Sequence, residues 1–454
     1  MTRLADDTRR RLERFVYDVM AEESLPGVSV AVVDGDGLAY AEGFGSRDLS
    51  ENLPATADTL YGFGSVTKSF TALALATLAE EGHLDFDDPV ADHVPFEVET
   101  DGTVTLHHLL THSSGLPSLG VSKALIARRT GSGEAGVPLG DRDDVHAFLA
   151  GADDEVVAPP GERFAYCNTG YVLLGEVIAR YAGTDYASYV EDAILDPLGM
   201  DRSTFDGDAF AADADGMTPY FHDGGDLSAA PLPERPVTYP TGGLLTSVVE
   251  VADYLRLHLG GGEVDGVRLA SEAAVERMHA GHVDTPEGPY GYGWRRRDVA
   301  GTTVVGHGGS IGVSSAYVGV VPAEDLGVAV ACNTSPAFGL AEVGQGVVAA
   351  LTGTDPAALP FFDRRARFEA YVGEYETYRG VLSARVSRDG EFLRLDVEGA
   401  RGESGTPLVP VDGTGEGGEF YALTPGGERS EVRFARDGDD LSLLYDRRRF
   451  HRVC

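Results

Sequence analysis

The first apolar repeat of the chain predicts an amphipathic helix over residues 3–22. Its apolar side chains recur near the 3.6-residue helical period, at Leu4, Leu12, Phe15, Val16 and Val19. Two strand-like runs follow, Val28–Val33 and Leu38–Gly43, on either side of the turn sequence Asp34-Gly35-Asp36-Gly37. Aspartate and glycine between two apolar runs are typical of a β-hairpin. We therefore expect a helix followed by a hairpin.

Helical patterns dominate the middle of the chain, and strand patterns return after it. The helical patterns are Ser65–Glu81, Tyr171–Tyr181 and Tyr186–Leu195, and the later strand patterns are Tyr292–Arg297, Thr302–Val305, Ser314–Val321 and Leu326–Ala331. Strands on both sides of a helical stretch predict one sheet built from sequence-distant segments, with a helical region inserted into it.

The last hundred residues have a different pattern. Asp355 to Pro360 is a plausible linker, and Tyr371–Cys454 alternates short strand patterns with glycine and aspartate turns. Such a pattern indicates a small all-β barrel or sandwich. The expected domains are residues 1–355 and residues 361–454.

The composition is that of a globular protein with a large excess of acidic residues. The 454 residues are 43% hydrophobic and carry 73 acidic against 36 basic side chains, a net charge of −37. Only two basic side chains are lysines, Lys68 and Lys123. This bias resembles proteins of salt-accumulating halophiles, although a GC-rich genome could also produce it. The negative field argues against nucleic acid or anionic membrane as a partner.

The cysteines and the hydropathy of the chain argue against several further classes of protein. The three cysteines are Cys167, Cys332 and Cys454, and no Cys-x-x-Cys pair occurs. An odd, small number argues against a disulfide framework, and the spacing argues against a cysteine zinc site. No secretory signal and no apolar run of 18 residues are visible. We expect a cytoplasmic protein that uses no metal and no cofactor.

The sharpest chemical motif is Ser65-Val66-Thr67-Lys68, at the start of a predicted helix. Positions i and i+3 share a helix face, so the hydroxyl and the amine are neighbours there. Serine is a weak nucleophile until a base takes its proton, and a desolvated lysine can be that base. The alternative is that Ser65 caps the helix and Lys68 is a solvated surface charge.

Two further motifs could complete a site. Tyr166 and Asn168 lie two positions apart on an expected extended loop, so their side chains would point to one side. Later, Gly306-His307-Gly308-Gly309-Ser310 precedes a strand pattern. Its glycines would let a substrate lie against the backbone, and the Ser310 N–H could donate to an oxyanion.

Two other motifs allow competing interpretations. Gly308-Gly309-Ser310-Ile311-Gly312 matches the G-x-S-x-G nucleophile elbow, which needs a helix after the serine, whereas a strand pattern follows here. The histidines His107, His108 and His112 could suggest a metal site. Leu109 stands where the H-E-x-x-H motif has glutamate, so a structural or loop role is favoured.

Taken together, these motifs resemble the penicillin-recognising serine hydrolases, in particular the group that holds class C β-lactamases, D-aminopeptidases and D-alanyl-D-alanine carboxypeptidases. Six further stretches resemble the same family: LYGFGSVTKSFTALALATLAEEG, LHHLLTHSSGLP, PPGERFAYCNTGYVLLGEVI, LDPLGM, YPTGGLLTSVVEVADYL and YGYGW. The tail resembles the lipocalin-like domain appended to some members. The resemblance implies an α/β (α+β) fold with an antiparallel sheet flanked by helices, an inserted helical lobe and a small C-terminal all-β barrel.

The resemblance also implies roles for the catalytic motif. Ser65 would be the nucleophile that forms an acyl-enzyme. Lys68 and Tyr166 would share the general base and acid work, and which of them deprotonates Ser65 stays open. Asn168 would position the substrate amide.

The remaining roles concern the late motif. His307 and Gly309 would line the strand edge, and the N–H groups of Ser65 and Ser310 would form the oxyanion hole. Many β-lactamases carry lysine where this chain has His307, which is mostly uncharged near neutral pH. This difference favours the peptidase members of the family over efficient β-lactam hydrolysis.

We therefore expect a salt-adapted serine hydrolase that cleaves peptide bonds, D-amino-acid amides or carboxylic esters. The partner would be a small-molecule or peptide substrate, with no nucleic acid and no membrane, and a homo-oligomer could form through the C-terminal domain. The alternatives are a promiscuous carboxylesterase or β-lactamase of the same fold, and a sensor that binds or acylates without turnover.

Overall fold

The computed structural model describes residues 4–96, 98–118, 140–223, 226–233, 235–398, 405–438 and 440–453. Lys123 and Cys454 lie outside these ranges. The chain divides into two units, Met1–Gly353 and Thr354–Cys454.

The first unit mixes helices and strands. Its described α-helices are α1 (Asp6–Glu23), α2 (Thr67–Glu80), α3 (Val90–His93), α4 (Leu106–Leu110), α5 (Arg142–Leu149), α6 (Asn168–Ala182), α7 (Tyr186–Val190), α8 (Gly207–Ala212), α9 (Tyr239–Gly242), α10 (Val251–Leu259), α11 (Glu272–His279) and α12 (Leu340–Leu351). Its described strands are β1 (Gly27–Asp34), β2 (Gly37–Asp48), β3 (Leu53–Pro54), β4 (Tyr61–Gly62), β5 (Tyr220–Asp223), β6 (Asp226–Ala229), β7 (Leu245–Thr246), β8 (Glu263–Val264), β9 (Val267–Arg268), β10 (Arg295–Val299), β11 (Thr302–Ser310), β12 (Ser315–Val321) and β13 (Leu326–Cys332).

A seven-stranded sheet joins the two ends of this unit, in the order β10-β11-β12-β13-β1-β2-β3. All of its named pairings are antiparallel, and β1 meets β13 with Val30 opposite Val330. Every residue of β12 is buried, because helices cover both faces of the sheet. The expected sheet of sequence-distant segments with an inserted helical region is confirmed.

The two faces of the sheet receive different helices. On one face α12 lies so close that a Cβ on Gly344 would overlap the Tyr317 ring, and α1 contacts the same helix through Phe15 against Gly346. On the other face, Ala316 and Val318 of β12 belong to the core that includes α2 and α10. Successive strand residues alternate between faces, which separates the two cores.

Several predicted boundaries differ from the structure for local reasons. The helix predicted at Ser65–Glu81 begins as a 3₁₀ turn, Gly64–Val66, before α2, and the helix predicted at Tyr186–Leu195 is α7 followed by a π-helical turn, Glu191–Leu195. The strand predicted at Tyr292–Arg297 begins only at Arg295, because Gly293 takes a φ of 73° where it meets the Lys68 carbonyl group.

The strand predicted at Thr302–Val305 is longer than expected, since β11 continues to Ser310. The predicted linker is partly helical as well. Pro356–Ala358 forms a 3₁₀ turn, and Pro360 opens the next α-helix, a position where its fixed φ and missing N–H cost nothing.

The second unit is a helix, α13 (Pro360–Glu369), and a closed eight-stranded barrel. The strands of the barrel are β14 (Gly373–Glu376), β15 (Ser383–Asp389), β16 (Phe392–Val397), β17 (Thr406–Pro410), β18 (Glu419–Leu423), β19 (Arg429–Asp437), β20 (Asp440–Tyr445) and β21 (Arg448–Arg452). Alternate residues such as Val432, Phe434, Leu441 and Leu443 point into its core. The expected all-β barrel is confirmed.

Among the described residues, none of the helices combines the length and the apolar character needed to span a bilayer.

Candidate active site

Ser65 and Lys68 lie at the junction between the 3₁₀ turn and α2. Lys68 is fully buried, and its Nζ lies 3.2 Å from Ser65 Oγ and donates to the Thr241 carbonyl oxygen at 2.7 Å. Val66 occupies the N-cap position of α2, and Ser65 makes no capping hydrogen bond there. The interpretation of Lys68 as a solvated charge and Ser65 as a helix cap is therefore wrong.

Burial changes the chemistry of the lysine. Loss of water around Nζ lowers the pKa of Lys68 to about 7, because the charged form is the one that loses solvation. The Thr241 carbonyl belongs to α9, in the YPTGG stretch. A neutral amine can give one hydrogen to that carbonyl and direct its lone pair at Ser65 Oγ.

Tyr166 lies against the same pair. Lys68 Nζ is 5.0 Å from the centre of the Tyr166 ring, and the Ser65 side chain is close enough to the phenol to act on its pKa. Burial raises the pKa of Tyr166 well above its ordinary value. The phenol is therefore protonated at neutral pH and can donate a proton.

Asn168 is the first residue of α6, so Tyr166 and Asn168 span a loop-to-helix junction and not the expected extended loop. The Asn168 backbone N–H donates to Ser118 Oγ at 3.3 Å. Its Oδ1 atom is buried without a hydrogen-bond partner among the described residues. A buried unpaired acceptor costs free energy until a donor reaches it.

The end of β11 packs directly on the Ser65 turn. A Cβ on Gly309 would lie 2.0 Å from the Phe63 carbonyl oxygen and 2.7 Å from Ser65 N, and a Cβ on Gly64 would lie 2.6 Å from Ser310 N. Only glycine permits this approach, and Gly64 also has a φ of 53°. The backbone N–H groups of Ser65 and Ser310 are therefore carried on adjoining segments.

His307 lies on β11 and is buried. Its Nδ1 lies 2.6 Å from the Gly308 carbonyl oxygen, which can only accept, so Nδ1 carries the proton and donates. Nε2 then accepts from the Tyr290 hydroxyl at 2.9 Å. Burial, followed by the charge of Lys68, lowers the pKa of His307 to about 3, which makes the ring neutral.

The residues of the two competing motifs form other hydrogen bonds. Ser310 ends β11 and pairs its Oγ with Ser335 Oγ at 2.7 Å, and the next element is the strand β12, not the helix that a nucleophile elbow requires. His108 forms a capping box with Thr105 at the start of α4. His107 Nδ1 lies 2.7 Å from the Tyr292 hydroxyl.

The structure thus brings Ser65, Lys68 and Tyr166 into one site, with the β11 segment that holds Gly309 and Ser310 beside it. Sequence reasoning missed two groups that set the chemistry, the Thr241 carbonyl and the Tyr290 hydroxyl. They lie in the stretches YPTGG and YGYGW, but nothing local to those stretches indicates a contact with Lys68 or His307.

Comparison with known proteins identifies the two parts of the chain. A family model described as β-lactamase matches residues 12–351, and one described as the Pab87 octamerisation domain matches residues 356–451. Protein flp of Staphylococcus aureus strain MW2 is 26% identical over 345 residues, 74% of this chain and 65% of flp. The chain therefore spans about two thirds of the length of that relative. Penicillin-binding protein 4 of Amycolatopsis lactamdurans is 30% identical over 359 residues, 75% of this chain and 84% of that protein.

Solved structures show the same relationship. The octameric penicillin-binding protein homologue from Pyrococcus abyssi has a TM-score of 0.91 and 36% identity, covering 98% of this chain and 99% of the other. A D-alanine carboxypeptidase from Burkholderia cenocepacia shares the fold at 22% identity, with a TM-score of 0.62 over 77% of this chain and 99% of the other. The chain belongs to the β-lactamase family, whose fold is that of the class C β-lactamases and penicillin-binding proteins.

Proposed function

We propose that the protein is a serine hydrolase that forms an acyl-enzyme on Ser65. The observation that carries this function is the buried Lys68 amine, 3.2 Å from Ser65 Oγ. A buried amine with a pKa of about 7 is partly neutral at physiological pH and can take the hydroxyl proton.

Lys68 and Tyr166 divide the proton transfers in this proposal. Lys68 Nζ takes the Ser65 proton while the bond from Oγ to the substrate carbonyl carbon forms. When the tetrahedral intermediate collapses, the bond to the leaving amine or alcohol breaks. Tyr166 supplies the proton to that leaving group and regains one from Lys68. Water then attacks the acyl group while the same two residues transfer protons in the reverse direction, and Ser65 is released. Tyr166 suits the acid role because burial raises its pKa.

The surrounding groups can stabilise the negative charge that develops on the substrate carbonyl oxygen and can orient the substrate. The N–H groups of Ser65 and Ser310 would donate to the oxyanion, since their segments adjoin through Gly64 and Gly309. Asn168 would receive a substrate amide N–H at its unpaired, buried Oδ1. These donors and acceptors favour an extended substrate that lies along β11.

The state of His307 favours peptides, D-amino-acid amides or carboxylic esters as substrates. Its neutral ring is already engaged with Gly308 and Tyr290, so it offers no positive charge to a substrate carboxylate. A promiscuous carboxylesterase or a β-lactamase of the same fold is the alternative enzyme. A sensor that acylates without turnover is the alternative of another class.

The test is intact-protein mass and turnover on three acyl donors in parallel: a p-nitrophenyl ester, a D-amino-acid amide and a penicillin. We expect a transient adduct and many turnovers with the ester or the amide, and slow turnover with the penicillin. One equivalent of product followed by a stable adduct on every donor would favour the sensor. Fastest turnover on the penicillin would favour a β-lactamase.

We further propose that the protein is salt-adapted and assembles as a homo-oligomer through the unit that matches an octamerisation domain. At a net charge of −37, self-repulsion weakens folding and assembly unless salt screens it. Between dilute buffer and multimolar KCl we expect the melting temperature to rise by about 10 °C or more, with activity rising in parallel. Calorimetry, ester turnover and light scattering over one KCl series measure all three properties. Full activity and full assembly in dilute buffer would contradict salt adaptation.

A further inference from the structure

His112 is a buried histidine that the proposed proton transfers do not use. It lies just after α4 and takes a φ of 57°, in the left-handed region that residues other than glycine adopt uncommonly, asparagine, aspartate and histidine more often than the rest. Its side chain is fully buried. A strained, buried polar residue beside an active site calls for a physical explanation.

His112 holds the backbone on both sides of Tyr166. Its carbonyl oxygen accepts from the Ala165 N–H at 2.7 Å, and its Nδ1 accepts from the Cys167 N–H at 3.1 Å. One bond therefore fixes the Phe164–Ala165 peptide and the other fixes the Tyr166–Cys167 peptide, on either side of Tyr166. His112 presents both acceptors while its backbone is in the left-handed region.

The imidazole also packs against the phenol that these bonds position. The His112 and Tyr166 ring centres are 4.1 Å apart at an interplanar angle of 37°. The backbone and the ring of Tyr166 are thus both held by a single residue. The phenol hydroxyl must reach Ser65, so any rotation of this ring changes the proton path.

The ring is neutral in this environment. Because Nδ1 accepts a hydrogen bond, the single proton of the neutral imidazole is on Nε2. Burial, reinforced by the charges of Lys68 and Arg295, holds the pKa of His112 well below its ordinary value. Protonation of Nδ1 would place a donor against the Cys167 N–H and break the contact.

Simple filling of space does not account for a histidine here. Its neighbours are the aromatic rings of Phe164, Tyr166, Tyr171 and Tyr290, against which phenylalanine would pack without a polar atom to satisfy. Instead, Nε2 is buried without a hydrogen-bond partner among the described residues. Burial of an unpaired N–H costs free energy. The hydrogen bond that Nδ1 accepts from the Cys167 N–H offsets that cost.

The geometry points to His112 as a positioning residue that holds the Tyr166 phenol close to Ser65 through its hydrogen bonds with the Ala165 and Cys167 N–H groups. This inference rests on the proposed function, because it assigns His112 to the proton path of that reaction. His112 acts through Tyr166 and does not itself contact the reacting atoms.

Two substitutions separate the effect of the Nδ1 acceptor from the effect of the ring. His112→Phe keeps a ring and removes Nδ1, whereas His112→Asn keeps an acceptor, since Asn Oδ1 sits at the same number of bonds from Cα as His Nδ1. Asparagine also tolerates the left-handed φ. We expect His112→Phe to lower the acylation rate by about 30-fold with KM within about threefold, and His112→Asn to remain within about fivefold of wild type.

The decisive readout is a double-mutant cycle with Tyr166→Phe. If His112 acts through the phenol, adding His112→Phe to Tyr166→Phe should cost less than about threefold. Val347→Ala, a buried truncation in α12 on the opposite face of the sheet, measures what destabilisation alone does to the rate. Melting temperatures of all variants accompany the kinetics.

The outcomes distinguish this inference from the function on which it rests. Equal losses in both backgrounds, or a wild-type rate in His112→Phe, would overturn the positioning role. If His112→Phe does not fold, a loss of about 30-fold in folded His112→Asn would overturn it equally. Absence of any Ser65 adduct in the wild-type protein would instead defeat the proposed hydrolase and leave the His112 contacts without that role.

Discussion

Ser65→Ala will form no acyl adduct and will hydrolyse activated esters at the rate of buffer, a fall in kcat/KM of at least about 10,000-fold. The effect is this large because the hydroxyl is the atom that becomes covalently bonded to the substrate. Lys68 and the N–H groups of the β11 segment remain in the variant, but they have no nucleophile to activate. Ser65 is only partly buried in a short turn, so the fold should survive the loss of one oxygen.

Ser310→Ala is the matched control for this prediction. Ser310 is proposed to act through its backbone N–H, which alanine retains, and its Oγ pairs with Ser335. We expect this variant to be acylated within about tenfold of the wild-type rate. Intact mass and ester turnover, measured on both variants in multimolar KCl, make the comparison. Labelling of Ser65→Ala with wild-type stoichiometry would place the nucleophile elsewhere, with Ser310 the next serine to test.

Lys68→Met is expected to lower kcat by about 1,000-fold while keeping or raising the melting temperature. Methionine fills nearly the same volume without an amine, so Ser65 loses its base. The buried amine is itself costly, since its burial lowers the pKa of Lys68 to about 7. The loss of the hydrogen bond to the Thr241 carbonyl offsets part of the stability gained. Ester turnover and calorimetry on the same preparation measure the two effects.

The lowered pKa of Lys68 also predicts how activity and stability depend on pH. Lys68 must be neutral to accept a proton, so wild-type kcat/KM on an uncharged ester should rise with pH and reach half its plateau near pH 7. In the unfolded chain the pKa of lysine is about 10.4, so the unfolded state binds more protons between pH 7 and that value. Wild-type stability should therefore rise across this window, and Lys68→Met should lack the rise.

Two results would contradict the assignment of Lys68 as the base. One is a Lys68→Met variant that retains more than about a tenth of the wild-type kcat. The other is a wild-type profile that is flat through neutral pH and rises only in the alkaline range, which would favour Tyr166 as the base because burial raises its pKa.

Most of the helices and strands could be predicted from the sequence, because the apolar period is a local property. The helix α1 and the hairpin of β1 and β2 follow their patterns closely. The exceptions have tertiary causes. Residues of the YGYGW stretch have strand-forming side chains, yet Gly293 bends the chain where it meets the Lys68 carbonyl. The end of β11 is rich in glycine, a poor strand former, and is held extended by its pairing with β12.

The active site also has a part that the sequence predicts and a part that only the fold brings together. The Ser65 and Lys68 pair is local, since a spacing of three positions across one helical turn brings the two side chains together. Tyr166 and His307 reach the site only through the fold, and the resemblance to a family, not the spacing, indicated their convergence. The sequence favours a structural or loop role for His112, and its contacts with Ala165 and Cys167 cross more than 50 positions of sequence.

The sequence by itself determined which segments are helical or extended, the two-part organisation of the chain, its acidic charge and the presence of a serine with a lysine on one helical turn. Only the tertiary structure decided the chemical state of those groups. The lowered pKa of Lys68, the tautomer of His307 and the orientation of Tyr166 depend on the removal of water and on partners such as Thr241, Tyr290 and His112. Side-chain identity and local period are encoded along the chain, whereas solvation and hydrogen bonding exist only once distant segments have packed together.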